Sequence, residues 1–196
     1  MVTFLVDMSA SQMADHLDEA LHIYVSAMGY PAGTENQRAA MWLDHTRRDG
    51  WRAVAAFEAD QPGVAPCDPH GRLLGLAYGY CGAPDQWWQQ QVVLGLQRRG
   101  LPHSDIARLM ASYFELTELH VAPPAQGCGL GEALTRRLLT GRPEAAVLLS
   151  TPETSADGNR AWRLYRRLGF ADVLRGHHFA GDPRPFAILG RSLPLP

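Results

Sequence analysis

The chain contains no lysine; all 18 of its basic residues are arginine. Genome composition is the first explanation, so little function is read into it. Cysteine is sparse, with only Cys67, Cys81 and Cys128. No CxxC pair and no Cys/His cluster at zinc spacing occurs, which excludes a zinc ribbon or finger. An odd, low count fits a reduced compartment. No apolar stretch approaches the ~20 residues needed to span a bilayer. The N-terminus lacks a basic segment followed by a long apolar run, so it does not read as a signal peptide. Charge of one sign is not in excess either: the net value is -2, and nothing global suggests nucleic acid or an anionic membrane. The expectation is a soluble, cytoplasmic protein.

What is present is ordinary globular composition, 46% hydrophobic and 19% charged over 196 residues. That length suits one domain with a substantial core. Val2 to Asp7 reads as a strand. From Ser11, Met13, Leu17, Leu21, Tyr24 and Met28 recur at three- and four-residue steps on one helical face. Gly29 and Pro31 end that helix. Thr34 to Gln37 has the form of a capping box, opening a helix to about Arg48 with Gly50 as its stop. Trp51 to Glu58 and Leu73 to Tyr80 read as an antiparallel hairpin joined by a Pro/Gly-rich loop, 59–71. Pro84 to Leu96 and a segment capped by Ser104 read as helices, inserted before the next strand.

The second half alternates. Strands are expected at Tyr113 to Val121, Ala145 to Ser150, Phe170 to Arg175 and Pro185 to Leu193. Helices are expected at Gly129 to Leu139 and Asp157 to Leu168. Strand–helix–strand order implies parallel pairing at the centre of the sheet. The fold class is therefore α/β (α+β), a mixed sheet with an antiparallel N-terminal hairpin, a parallel centre, an antiparallel C-terminal end and flanking helices.

One run carries chemistry: Glu115-Leu-Thr-Glu118-Leu119-His120-Val121-Ala-Pro123-Pro-Ala-Gln126-Gly127-Cys128-Gly129-Leu130-Gly131. A strand runs out to prolines, which cannot continue its ladder. It then turns through glycines at alternate positions and opens a helix. Glycine lets several N–H groups converge without a Cβ in the way. The helix start adds unpaired amides and the positive end of its dipole. Such a turn suits a pyrophosphate. A Walker loop needs Gly-Lys, and there is no lysine. A dinucleotide fingerprint needs GxGxxG at the first strand of its fold, whereas this GxGxG lies past the midpoint.

These residues resemble the GNAT family of acetyltransferases. Gln126-x-x-Gly129-x-Gly131 matches its acyl-CoA pyrophosphate loop. Glu115-Leu-x-x-Leu119-x-Val121-x-Pro123 resembles its fourth strand. Ala161-x-x-Leu164-Tyr165-x-x-Leu168-Gly169-Phe170 is similar to its next helix and strand. The resemblance covers about residues 113–170 and implies a single N-acetyltransferase domain over 1–196. One position departs: the asparagine often found seven residues before the tyrosine is Gly158 here, with Asn159 displaced by one.

The resemblance implies direct transfer of an acetyl group from acetyl-CoA to a primary amine in a ternary complex, with no metal. Self-acetylation on a lysine side chain is impossible in this chain. A base must take the amine proton, a fixed donor must meet the carbonyl oxygen, and the thiol must leave. By resemblance Glu115 is the base, with Glu118 as second candidate, and Tyr165 is the general acid. The strand backbone at Leu119, His120 and Val121 would meet the thioester and the pantetheine. Gln126, Gly127, Cys128, Gly129, Leu130 and Gly131 would hold the pyrophosphate, and Asn159 and Tyr165 would flank the arm. A small-molecule or peptide amine is the implied partner, and a homodimer the family-based expectation.

Plainer readings stand beside these. Glu115 can be an exposed strand residue. Glu118, three residues on, faces the opposite side of a regular strand and shares its parity with His120, which as a lone strand histidine reads as structural. Glu153 reads as a solvated loop charge. Tyr165 can pack with Trp162 and Leu168, though a buried phenol still needs a partner for its OH. Cys128, although at a helix mouth, reads as a small loop residue. Of Trp87 and Trp88, one is expected to anchor its helix. Two rival functions remain: an acyl-CoA-binding sensor or interaction module without turnover, and a nucleotide-binding protein using the glycine loop.

Overall fold

A computed structural model describes residues 1–59, 71–153 and 160–195. Strand β1, Val2–Met8, buries Val6 and Met8 and exposes Asp7 between them. Helix α1, Ala10–Asp15, begins earlier than the periodicity alone suggests, because Ser9 caps it. The Ser9 hydroxyl accepts from the Gln12 N–H at 3.2 Å, and the Gln12 side chain accepts from the Ser9 N–H at 2.8 Å. The expected single helix is two: at His16 the backbone leaves helical geometry, and α2 runs Leu17–Met28. The apolar face survives the break, with Met13, Leu17, Leu21 and Tyr24 all buried. Gly29 closes α2 in the left-handed conformation, φ 65°.

Helix α3, Thr34–His45, is not opened by the expected capping box. Gly33 is its cap, Thr34 donates its hydroxyl to the Pro31 carbonyl at 2.7 Å, and Glu35 accepts from the Gly33 N–H at 2.7 Å. The helix stops at His45 rather than Arg48. Strands β2, Arg52–Ala59, and β3, Arg72–Cys81, pair antiparallel as expected. Their connection falls outside the described residues. Helices α4, Trp87–Arg98, and α5, His103–Met110, follow. Pro102 precedes α5 and Ser104 lies inside it, so the expected serine cap is absent.

Strand β4, Tyr113–Val121, has the expected bounds and ends in a single 3-10 turn at Pro123–Ala125. Helix α6 is Leu130–Leu139, β5 is Ala146–Pro152, α7 is Arg160–Arg167, β6 is Ala171–His177 and β7 is Phe186–Ser192. The seven strands order as β1-β2-β3-β4-β5-β7-β6. β4 and β5 are parallel, in register at Tyr113/Ala146, Phe114/Val147 and Glu115/Leu148. β7 lies antiparallel between β5 and β6. The last strand thus enters the sheet ahead of the one before it, an order that alternation along the chain cannot reveal.

Two compact units are distinguished. The first holds Met1–Tyr80 and Thr117–Leu138. Its core joins β1 to β3 with α1 to α3, around Met13, Leu21, Tyr24, Trp42, Phe57, Leu76 and Tyr78. The second holds Cys81–Leu116 and Leu139–Pro196. There Trp88, Val92, Leu96 and Ile106 from α4 and α5 pack with Tyr113, Leu148, Leu174 and Ile188 of the strands. Trp88 is the anchor of the tryptophan pair: it is buried and donates its indole N–H to the Ser150 hydroxyl at 3.2 Å, while Trp87 is exposed. A buried ion pair closes this unit, Arg142 bonding Glu144 while its guanidinium lies 4.3 Å from the Phe114 ring centroid. The Cys81 thiol donates to Glu144 at 3.0 Å, and burial first, then that carboxylate, pushes the thiol above its usual range.

Candidate active site

In the first unit, β4 delivers the chain to the glycine turn. Gln126 braces it from both ends: its N–H donates to the Pro123 carbonyl at 3.3 Å, and its side-chain amide donates to the Val121 carbonyl at 3.0 Å. Gly127 and Gly129 have φ of 89° and 79°, conformations that side-chain-bearing residues adopt only at a cost. A Cβ at either would meet nothing within 4 Å. The glycines are therefore required by backbone twist, and the space above them is open. Helix α6 begins directly after. Its first described bond runs from the Ala133 N–H to the Gly129 carbonyl at 3.1 Å, so the amides of the turn before Ala133 have no acceptor within the helix. Gly127, Cys128 and Gly129 are exposed, and Leu130 and Gly131 half-buried.

Upstream on the same strand, Glu118 and His120 point to one side, as their parity requires. The His120 Nε2 and the Glu118 Oε2 are 2.5 Å apart, with side chains 8% and 15% exposed. His120 is packed between helices of the N-terminal half. Its ring stacks on Trp42 of α3 at 6.2 Å with an interplanar angle of 14°, and meets the edge of Tyr24 of α2 at 5.0 Å and 75°. Trp42 in turn meets Tyr24 and Tyr78, and Tyr24 meets Tyr30. Burial lifts the Tyr24 hydroxyl well above the usual phenol range. His45 Nδ1 lies 3.0 Å from the Tyr78 hydroxyl, and burial, aided by Arg48, lowers the histidine to about 4. Leu119 and Val121, of opposite parity, are half-buried.

The second unit carries the remaining candidates. Glu115 is buried, 3% exposed, beside Leu148 in the parallel ladder; the reading of it as an exposed strand residue is overturned. Tyr165 on α7 is buried, its ring 5.6 Å from that of Phe170. The Tyr165 carbonyl accepts from the Phe170 N–H at 2.9 Å, which folds the Leu168-Gly169-Phe170 turn back under the helix. Glu153 is not a free loop charge: it accepts from Arg175 Nε at 2.5 Å and from the Gly176 N–H at 2.9 Å, and the arginine holds its carboxyl below the usual range. Asn159 lies outside the described residues.

The sequence profile of the Acetyltransferase (GNAT) family matches residues 18–170. The chain belongs to the GNAT family of acetyltransferases. A GCN5-like protein acetyltransferase of Mycobacterium tuberculosis is 63% identical over 206 aligned residues, covering 100% of both chains. Among solved GNAT structures, NAA60 of Arabidopsis thaliana in complex with acetyl-CoA superposes with a TM-score of 0.59 at 16% identity, over 98% of this chain and 100% of that one. The ribosomal-protein-S18-alanine N-acetyltransferase of Escherichia coli superposes at 0.58 and 16% identity, over 100% and 96%. At those identities the likeness is one of fold.

Two features of this GNAT chain escaped sequence reasoning. Gly75 in β3 is one: a Cβ there would sit 2.7 Å from the His120 carbonyl oxygen and 3.1 Å from the Val121 Cα. β3 can lie against β4 at the candidate site only because residue 75 has no side chain. A glycine inside a strand was the available signal. The second is the surroundings of His120, since its partners Tyr24 and Trp42 lie 96 and 78 residues away in sequence. Among the described residues, no group of three His, Cys, Asp or Glu side chains could hold a metal ion. No described helix is long and apolar enough to cross a membrane.

Proposed function

We propose that this GNAT protein transfers an acetyl group from acetyl-CoA to an amine carried by a protein or peptide, directly and without a covalent enzyme intermediate, and that residues 1–196 act as one acetyltransferase domain. The observation that carries the reading is the turn from Gln126 to Gly131. Two left-handed glycines and the first amides of α6 present N–H groups on an open face, the chemistry a pyrophosphate requires. The full-length relative described as a protein acetyltransferase supports a protein amine as acceptor, and the acetyl-CoA complex of a fold neighbour supports the donor.

Acetyl-CoA would supply the acyl group as an activated thioester. The chain's own residues would do the rest. The N–H groups of Gly127 to Gly131 hold the pyrophosphate, with Gln126 bracing the turn rather than lending its side chain to the phosphates. Val121 bonds the pantetheine as an added strand would, with the backbone of His120 beside it. The Leu119 N–H meets the carbonyl oxygen as it gains charge. Glu118 takes the proton from the amine: a base must be reached by its substrate, and Glu118 is more exposed than Glu115 and is hydrogen-bonded to His120. Glu115, if it were the base, would have to act through water. Tyr165 returns a proton to the leaving thiolate.

Calorimetry tests the donor half. Wild type should bind acetyl-CoA, and Gly129→Val, which cannot hold φ 79° without strain and places a branched side chain in the open face, should lose that binding while keeping its fold by circular dichroism. Equal affinity in the two proteins would remove the glycine turn from the site.

A further inference from the structure

We propose that His120 is a positioning residue that fixes the Glu118 carboxylate for proton removal from the acceptor amine. The inference rests on the reading of Glu118 as the base. An ionised carboxylate can only accept, so the 2.5 Å contact makes Nε2 of His120 the donor and sets its tautomer. The imidazole cannot turn away. It is stacked on Trp42, itself 0% exposed, and bounded by the edge of Tyr24. Behind it, the missing side chain of Gly75 allows β3 to close on the His120 carbonyl.

A glutamate side chain left to itself samples many rotamers, and a base that must be found by its proton loses rate by every one that is unproductive. Here one carboxylate oxygen is anchored by a ring that is itself anchored. The second oxygen is thereby presented in a single orientation. His120 is too enclosed to meet substrate itself, at 8% exposure, which is why its part is to position and not to react.

Other ionisable groups surround the pair and must be counted in any pH profile. Tyr24 on α2, Tyr30 just beyond it, and Arg38, Asp44 and His45 on α3 face this region, with Arg48 after α3 and Tyr78 on β3. The charge of Glu118 is felt by both Tyr24 and His45.

The test uses the full-length protein, acetyl-CoA and a peptide amine, with kcat, both KM values and the pH dependence of kcat as readouts. His120→Phe keeps an aromatic ring between Tyr24 and Trp42 but removes the donor. It should lower kcat by about 10- to 100-fold, leave the KM for acetyl-CoA unchanged, and move the acid limb of the kcat profile upward. His120→Gln, whose amide can donate from nearly the same place, should restore most of both. In a Glu118→Gln background, His120→Phe should add no further loss. Wild-type kcat and an unmoved acid limb in His120→Phe would overturn the proposal. So would equal losses in the Phe and Gln variants with a common drop in melting temperature, the signature of a merely structural histidine. If Glu118→Gln loses kcat while His120→Phe keeps the wild-type value, positioning fails and the base assignment stands. If Glu118→Gln keeps wild-type kcat, the base assignment itself has failed.

Discussion

At the scale of single residues, the account turns on which side chains handle protons. Glu118→Gln should cost about 100- to 10,000-fold in kcat, the usual worth of a general base, with acetyl-CoA affinity intact by calorimetry. Tyr165→Phe should cost less, about 10-fold, because a thiol with an ordinary pKa near 8.5 leaves with little help. His45 makes a separate prediction about acid stability. Its folded-state value is lowered to about 4 from 6.5. A depressed histidine contributes fully above the unfolded value and loses that contribution as pH falls from about 6.5 toward 4. Between pH 7.5 and 5, urea denaturation should therefore show wild type losing roughly 2 kcal/mol more than His45→Asn. The proton-handling residues were legible in the sequence only as types. The Glu-x-His alternation put Glu118 and His120 on one side of the strand, but that they would bond, and that Tyr24 and Trp42 would grip the ring, depends on helices whose approach no local pattern encodes. Glu115 was read as exposed or catalytic; burial in the ladder with Leu148 removed the first reading.

At the scale of elements, β4 and the glycine turn were read from the sequence with nearly their observed bounds, because a strand stopped by Pro123 and a turn built on Gly127 and Gly129 leave local marks. The helices were harder at their ends. α1 and α2 share one apolar face, so periodicity joined them, and only the backbone at His16 separates them. Thr34 carried a capping-box pattern, yet Gly33 and Glu35 took over the cap once Pro31 offered its carbonyl to the threonine hydroxyl. The position of β7 between β5 and β6 is a pairing choice between distant segments and left no trace along the chain. The close approach of β3 to β4 makes an element-scale prediction. Gly75→Ala would bring a methyl to 2.7 Å from the His120 carbonyl, and because backbone must move, the variant should lose about 1–3 kcal/mol of stability and lower kcat together. Unchanged melting temperature and unchanged turnover would mean the strands have slack there.

At the scale of the whole molecule, the family, the mixed sheet and the absence of any lysine combine into one clean assay. A lysine-free enzyme cannot take up label on a lysine side chain, so acetyl groups found on lysine belong to the acceptor. The alternatives raised by the sequence, a CoA-binding sensor and a nucleotide-binding protein, differ from the enzyme in that one observable. The decisive measurement is acetyl-CoA turnover with a panel of lysine-containing and N-terminal-amine peptides, following thiol release and the acetyl mass on the peptide in the same reaction. The account predicts thiol release matched by acetylated peptide for at least one sequence, lost in Glu118→Gln. Binding of acetyl-CoA with neither thiol released nor peptide acetylated across the panel would contradict it.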